Sequence, residues 1–237
     1  MTYDPPLIAV IGCDGSGKST LTEALQSWLG ERQPTVTCHL GKQSGNIGRA
    51  LSRLPLLGRR IDTSITAKAR GAQGEAGPGL LAALVIYAFA LRRNRRFARM
   101  LRLREDGYTI IADRYPQLEV PGSMDGLGLS SARAGGLVGA LAASERRLFA
   151  RMTAHAPDLV LRLNVSLEVA TARKPDHRAS SLARKIADVP RLRFGAAPIV
   201  ELDAHHPFDA VLARAKDAIT ALLSERKHGT VLRLAVA

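Results

Sequence analysis

The sequence predicts an α/β fold in three layers, a five-stranded parallel sheet flanked by helices. Three observations predict it. Short β-rich runs alternate with helical spacings along the chain. The first run feeds directly into a glycine-rich turn followed by a helix. At 237 residues, with 46% hydrophobic and 23% charged residues, the chain suffices for one α/β domain with a full core, or at most two small domains.

The elements follow in order. Leu7–Gly12 is apolar and ends in glycine, as a first strand. From Ser19 to Leu29 the residues Leu21, Ala24, Leu25, Trp28 and Leu29 fall on one helical face. Thr35–Leu40 is a second strand, with Val36, Thr37 and Cys38. Asp62–Gly79 is rich in Gly, Ala and polar residues and reads as a mobile loop. Leu80–Arg104 reads as one long helix with a basic face from Arg92 to Arg104. The turn Asp106-Gly107 leads into a third strand, Thr109–Ala112. Arg133–Met152 is helical, Asp158–Val165 a fourth strand, Ile199–Leu202 a fifth, and Pro207–Leu223 a last helix. The apolar tail Thr230–Ala237 reads as an edge strand or an interface segment.

Charge and cysteines bound the function. A formal net charge of +13 suits anionic partners: nucleotides, nucleic acid or an anionic surface. Two cysteines, Cys13 and Cys38, allow no disulfide framework beyond a single bridge and form no C-x-x-C site, which fits a reduced, cytoplasmic protein. The N-terminus has no basic leader, and Gly79–Leu91 is too short to span a bilayer, so no membrane role is expected. His205-His206 lacks a spaced third ligand and reads as solvated loop rather than metal site.

The chemistry is carried by Gly12-Cys13-Asp14-Gly15-Ser16-Gly17-Lys18-Ser19, which matches G-x-x-x-x-G-K-[ST] at every defined position. Glycines let successive N–H groups turn inward on phosphate. The helix that follows adds its positive end. Gly12, Asp14, Gly15, Ser16, Gly17, Lys18, Ser19 and Thr20 are therefore the expected triphosphate cradle. Lys18 is placed on the β- and γ-phosphates and Ser19 on Mg²⁺. A second motif, Asp113-Arg114, closes the third strand. Asp113 there can hold a Mg²⁺-bound water or orient Lys18, and Arg114 can clamp phosphate.

Cys13–Thr20 together with Asp113-Arg114-Tyr115 resembles thymidylate kinase and its relatives among the nucleoside monophosphate kinases. The resemblance implies ATP with Mg²⁺ as phosphoryl donor, a small anionic acceptor, a flexible lid and, commonly, a homodimer. It implies that Asp14 contacts the acceptor sugar, that Arg114 grips the acceptor phosphate, and that an arginine of the long helix, at the spacing of Arg92, touches the base. Tyr115 and Asp125 join the acceptor side. The lid falls at about 172–187, with Arg173 and Arg178 as the source of catalytic positive charge. Three departures lie on the acceptor side. His39-Leu40-Gly41-Lys42-Gln43 stands where the family has Arg-Glu-Pro-Gly. Ala88, flanked by Tyr87 and Phe89, stands four residues before Arg92, where the family stacks a phenylalanine. The stretch from Pro116 to Gly126 departs from the usual thymidylate kinase sequence.

Three functions follow from these readings. The first is phosphoryl transfer to a nucleoside monophosphate. The second is transfer to a hydroxyl of a nucleoside, sugar or other metabolite, with Asp14 or Asp113 as base and Asp125 and Glu119 behind them. The third is a nucleotide-dependent nucleic-acid binder, against which stand the scarce aromatics, 4%, and the lack of a nucleic-acid motif.

Overall fold

In a computed structural model of the chain, residues 4–41, 78–122, 124–133 and 135–235 are described, with side chains described up to 226. Residues 62–77 of the expected mobile loop lie outside the described residues, as do Lys42 and Gln43.

The expected class is observed. The strands β1 (Leu7–Gly12), β2 (Thr35–His39), β3 (Thr109–Asp113), β4 (Leu159–Asn164) and β5 (Ile199–Asp203) form a five-stranded sheet. Its order is β2-β3-β1-β4-β5, and every pairing is parallel. This is an α/β arrangement of the P-loop NTPase type. Central β1 is buried at all six positions, as a strand covered on both faces must be. Edge strand β2 is only half-buried along its length. The helices are α1 (Lys18–Gly30), α2 (Leu80–Glu105), α3 (Gly136–Thr153), α4 (Leu167–Arg173), α5 (Ala179–Asp188) and α6 (Phe208–Ala235). The described chain divides into two compact units.

The first unit comprises Met1–Leu40, Ala98–Tyr115 and His155–Ala237, and it holds the whole sheet. Its core joins Ile8 and Val10 of β1 to Leu21, Leu25 and Leu29 of α1, with Leu161, Leu202 and Ile219 from later elements. The expected inward face of α1 is therefore observed, except that Trp28 and Ala24 are half-buried and Thr22 is buried. Two polar anchors tie the sheet's margins. Asp158 accepts from the Leu7 amide at 2.7 Å and from Arg104 at 3.1 Å, and pairs with Arg226. On β4, buried Arg162 meets its register partner Glu201 at 3.0 Å and donates to the Leu192 carbonyl at 2.8 Å.

The second unit comprises Gly41–Phe97 and Pro116–Ala154. Its loop between β3 and α3 is held by side chains substituting for regular structure. Gln117 Nε2 donates to the carbonyls of Val120 and Met124 at 2.6 and 2.8 Å, and its Oε1 accepts from the Val120 amide at 2.8 Å. Buried Glu145 of α3 accepts from the amides of Gly128 and Leu129 at 3.0 and 2.8 Å.

Two boundaries differ from expectation. Helix α3 begins at Gly136 rather than Arg133, because Gly135 before it takes φ 102° and ψ 162°, a conformation outside any helix. The C-terminal segment through Ala235 continues α6 as helix, so it is not an edge strand. No helix among the described residues is long and apolar enough to cross a membrane.

Leu161 is fully buried in β4, next to the central strand. Leu161→Ala is expected to cost about 2–5 kcal/mol through lost transfer energy and a residual cavity. Urea unfolding checks this, and a cost under about 1 kcal/mol would contradict the packing described here.

A candidate phosphate-binding site at the carboxyl end of the central strand

The strand order reverses direction at β1, which has β3 on one side and β4 on the other. In parallel α/β sheets such a switch point opens a crevice beyond the strand carboxyl ends. The glycine-rich turn lies there, between the end of β1 and the start of α1.

The local geometry explains the residue types. A Cβ on Gly12 would lie 2.8 Å from the Leu163 carbonyl oxygen and 2.6 Å from Ser16 Oγ, so only glycine lets the loop leave β1 this close to β4. Gly17 caps α1 at φ 90°, a left-handed conformation, with open space around it. The loop is drawn together on one carbonyl. The Cys13 oxygen accepts from the Ser16 amide at 3.4 Å, from Ser16 Oγ at 2.9 Å and from Lys18 Nζ at 2.7 Å. Lys18 is thus folded back over the loop. Burial, then the nearby Arg114 charge, lowers its pKa below the usual lysine value. Ser19 and Thr20, in the first turn of α1, are exposed. The Cys13 thiol is buried, and burial raises its pKa; its Sγ donates to the Asp14 carbonyl at 3.3 Å. Both cysteines are free.

Asp14 is the electrostatic centre of this unit's site. Its carboxylate pairs with Lys185 of α5, with Arg114 at 3.3 Å and with His177 at 3.7 Å. Burial alone would raise its pKa, but the Lys185 hydrogen bond and charge, with Lys18 and Arg114, outweigh it and hold the carboxyl below its usual value. Lys185 carries no sequence motif. Its only signal is a position three residues after buried Leu182, beside the inward face of α5.

Asp113 ends β3 opposite His39 of β2, its register partner, and His39 Nδ1 lies 2.8 Å from Asp113 Oδ2. Burial pushes the Asp113 carboxyl up; the His39 hydrogen bond and the Lys18, His39 and Arg114 charges win and lower it. Its other oxygen, Oδ1, is buried with no hydrogen-bond partner. Arg114 follows at φ 60°, a strained conformation for a side chain of its size.

Arg173, at the end of α4, spans two loops. It donates to the Gly15 carbonyl at 3.2 Å and to the Ala204 carbonyl at 3.0 Å. With Ser16, Gly17, Ala204, His206 and Phe208 it lines a cavity of about 270 Å³ beside the loop. Arg178 is exposed at the N-terminus of α5. His205 is bonded to Asp203 of its own loop, and its Nε2 accepts from the Ser166 amide, in the loop after β4, at 3.1 Å. Among the described residues no group of three His, Cys, Asp or Glu could hold a metal by itself.

The remaining expected residues are placed differently. Tyr115 is buried, with its hydroxyl donating to the His155 carbonyl and its ring edge-on to Phe194 at 6.0 Å. Burial raises its pKa. In the second unit, Arg92 is exposed, whereas Arg93 is buried. Arg93 donates to the Asp125 carbonyl at 2.6 Å, pairs with its carboxylate at 2.5 Å, and lies 5.6 Å over the Phe149 ring. The inward arginine of α2 is thus Arg93, which stands four residues after half-buried Phe89. Asp125 takes φ 65° to reach it. The basic residues of α2 do not form one solvated face: Arg95, Arg99 and Arg102 are exposed, but Arg104 is drawn to Asp4, Asp158 and the Pro5 carbonyl.

No protein-family model matches the chain. Two proteins of Escherichia coli strain K12 do. "Uncharacterized ATP-binding protein YghS" is 42% identical over 222 residues, covering 92% of this chain and 94% of that protein. "Uncharacterized ATP-binding protein YghR" is 38% identical over 234 residues, covering 96% of this chain and 93% of that protein.

Asp14 has a folded pKa below its unfolded value of about 3.9, so its charge stabilises the fold above that pH and the gain is lost as pH falls through the folded value. Asp14→Asn is expected to flatten the acid limb of the stability profile between about pH 2 and pH 5. Urea unfolding at stepped pH reads this; an unchanged acid limb would contradict the ion pairs described.

Proposed function

We propose an ATP-dependent phosphotransferase, from the premise that the chain belongs to the family of the Escherichia coli ATP-binding proteins YghS and YghR. One observation carries the reading. A G-x-x-x-x-G-K-S loop bridges the central strand and α1, with glycine where a side chain would collide and with Lys18 folded over it. Loop amides and the α1 N-terminus receive the donor's phosphates, and Lys18 meets the β- and γ-phosphates. The cavity beside Arg173, Ala204 and Phe208 has the place and size for the nucleobase.

The residues present fit Mg²⁺. It takes few protein ligands alongside phosphates and waters, which agrees with an exposed Ser19 hydroxyl and a buried, unpartnered Asp113 Oδ1 in a site lacking a protein-only metal cluster. Mg²⁺, when bound, neutralises charge on the polyphosphate.

The acceptor of first choice is a nucleoside monophosphate, thymidylate among them. An oxygen of its phosphate bonds to the γ-phosphorus while the bond to the β,γ-bridging oxygen breaks, and ADP departs. That oxygen is already ionised, so no general base is needed. Positioning and charge supply the catalysis, from Lys18, Arg114, Arg173 and Arg178 at the start of α5. A second reading has one specific support. His39 opens the stretch 39–43 that stands where thymidylate kinases have Arg-Glu-Pro-Gly, and it is bonded to Asp113. A hydroxyl acceptor on a nucleoside or sugar would use such a pair for its proton.

Lys18→Ala is expected to weaken ATP binding at least about tenfold in calorimetry, the loss of one charge-assisted contact. Coupled ADP release with a panel of nucleoside monophosphates and unphosphorylated nucleosides and sugars then assigns the acceptor. Turnover confined to hydroxyl acceptors would select the second reading. Failure of the unaltered protein to bind ATP with Mg²⁺ would remove both.

A further inference from the structure

The sequence leaves a question on the acceptor side. The end of β2 carries His39, and basic side chains from other segments converge on the phosphate loop. Lys185 comes from α5, His177 from the loop before it, and Arg114 from the end of β3. All three side chains are directed at one carboxylate, Asp14, within the phosphate loop itself. The Lys185 side chain is 19% exposed and Arg114 is 34% exposed, so both are held in place and reach solvent. Arg114 takes a left-handed backbone conformation to get there. Strain of this kind persists where surrounding structure holds it, and it clusters at ligand clamps.

A surface ion pair would account for one lysine and one aspartate. It does not account for two basic side chains and an imidazole from three chain segments meeting one carboxylate. Lys185 has three N–H donors, one of them toward Asp14. Arg114 has a planar fork matched to phosphate oxygens. Arg114 stands near enough to Lys18 that its charge lowers the Lys18 pKa, and so near the place for the donor's terminal phosphate, while Lys185 meets the phosphate loop at Asp14.

We propose that Lys185 is a phosphate-contacting residue, forming with Arg114 and His177 the grip for a phosphomonoester group on the acceptor, with Asp14 holding the side chains in position. The acceptor class is then a phosphorylated small molecule rather than a neutral alcohol. This rests on the phosphotransferase reading above, and the experiment separates the two.

Protein saturated with ADP and Mg²⁺, so that the phosphate loop is filled, is titrated with inorganic phosphate by calorimetry. The unaltered protein binds phosphate; Lys185→Ala weakens it at least about tenfold, and Lys185→Arg restores most of the affinity, while ADP affinity stays within about twofold throughout. In the unaltered protein, acetylation of Lys185 by acetic anhydride, followed by mass spectrometry, is slowed by phosphate. This arm needs no variant and stands even if Lys185→Ala fails to fold. ADP binding without phosphate binding, phosphate affinity equal or tighter in Lys185→Ala, or acetylation of Lys185 indifferent to phosphate would each overturn the proposal and leave the nucleotide reading intact. Absence of ADP binding by the unaltered protein would instead fell the phosphotransferase reading.

Discussion

The near-collision of the first loop with β4 is the constraint on which the rest depends. Gly12 passes so close to the Leu163 carbonyl that a methyl group has no place. That closeness lets the chain fold back at once, bring Ser16 and Lys18 onto the Cys13 carbonyl, and start α1 from a left-handed glycine. It also fixes Asp14 where residues from β3 and α5 can reach it. Sheet order matters for the same reason. Because β1 lies between β3 and β4, side chains from both neighbours and from the segments that follow them arrive at one end.

The electrostatics have a consistent logic. Asp14 and Asp113 are each partly buried, which by itself disfavours their charge, and each is kept ionised by cations supplied from other elements. Lys18 feels the opposite balance, since burial and Arg114 both work against its proton. The first unit's site is thus an assembly of mutually supporting charges. In the second unit, buried Arg93 and Asp125 form a similar but separate device, shaping a loop that has little regular structure.

What the sequence made legible follows from how local each signal is. Strands, the glycine loop and the pair Asp113-Arg114 are written in adjacent residues, and the structure has them at the expected positions. Helical phase is less local. Arg92 and Arg93 are neighbours in sequence but about 100° apart around a helix, and only packing against Phe149 and Asp125 decides which turns inward. The His39–Asp113 contact needed strand register, which no single segment contains. Lys185 was least legible. It is 171 positions from Asp14, and the surrounding stretch reads only as an amphipathic helix. Arg173 was singled out as a catalytic charge, and its contacts with Gly15 and Ala204 add an anchoring role between two loops.

The buried thiol inside the first loop has a consequence of its own. Cys13 is 2% exposed, and burial keeps it protonated. The thiolate is the form that reacts with peroxide, alkylators and other sulfur centres. A sulfhydryl at the heart of the loop is therefore shielded from redox chemistry by the same tight packing that shapes it, and the chain can keep this soft, polarizable atom there without making its central motif a target for oxidants.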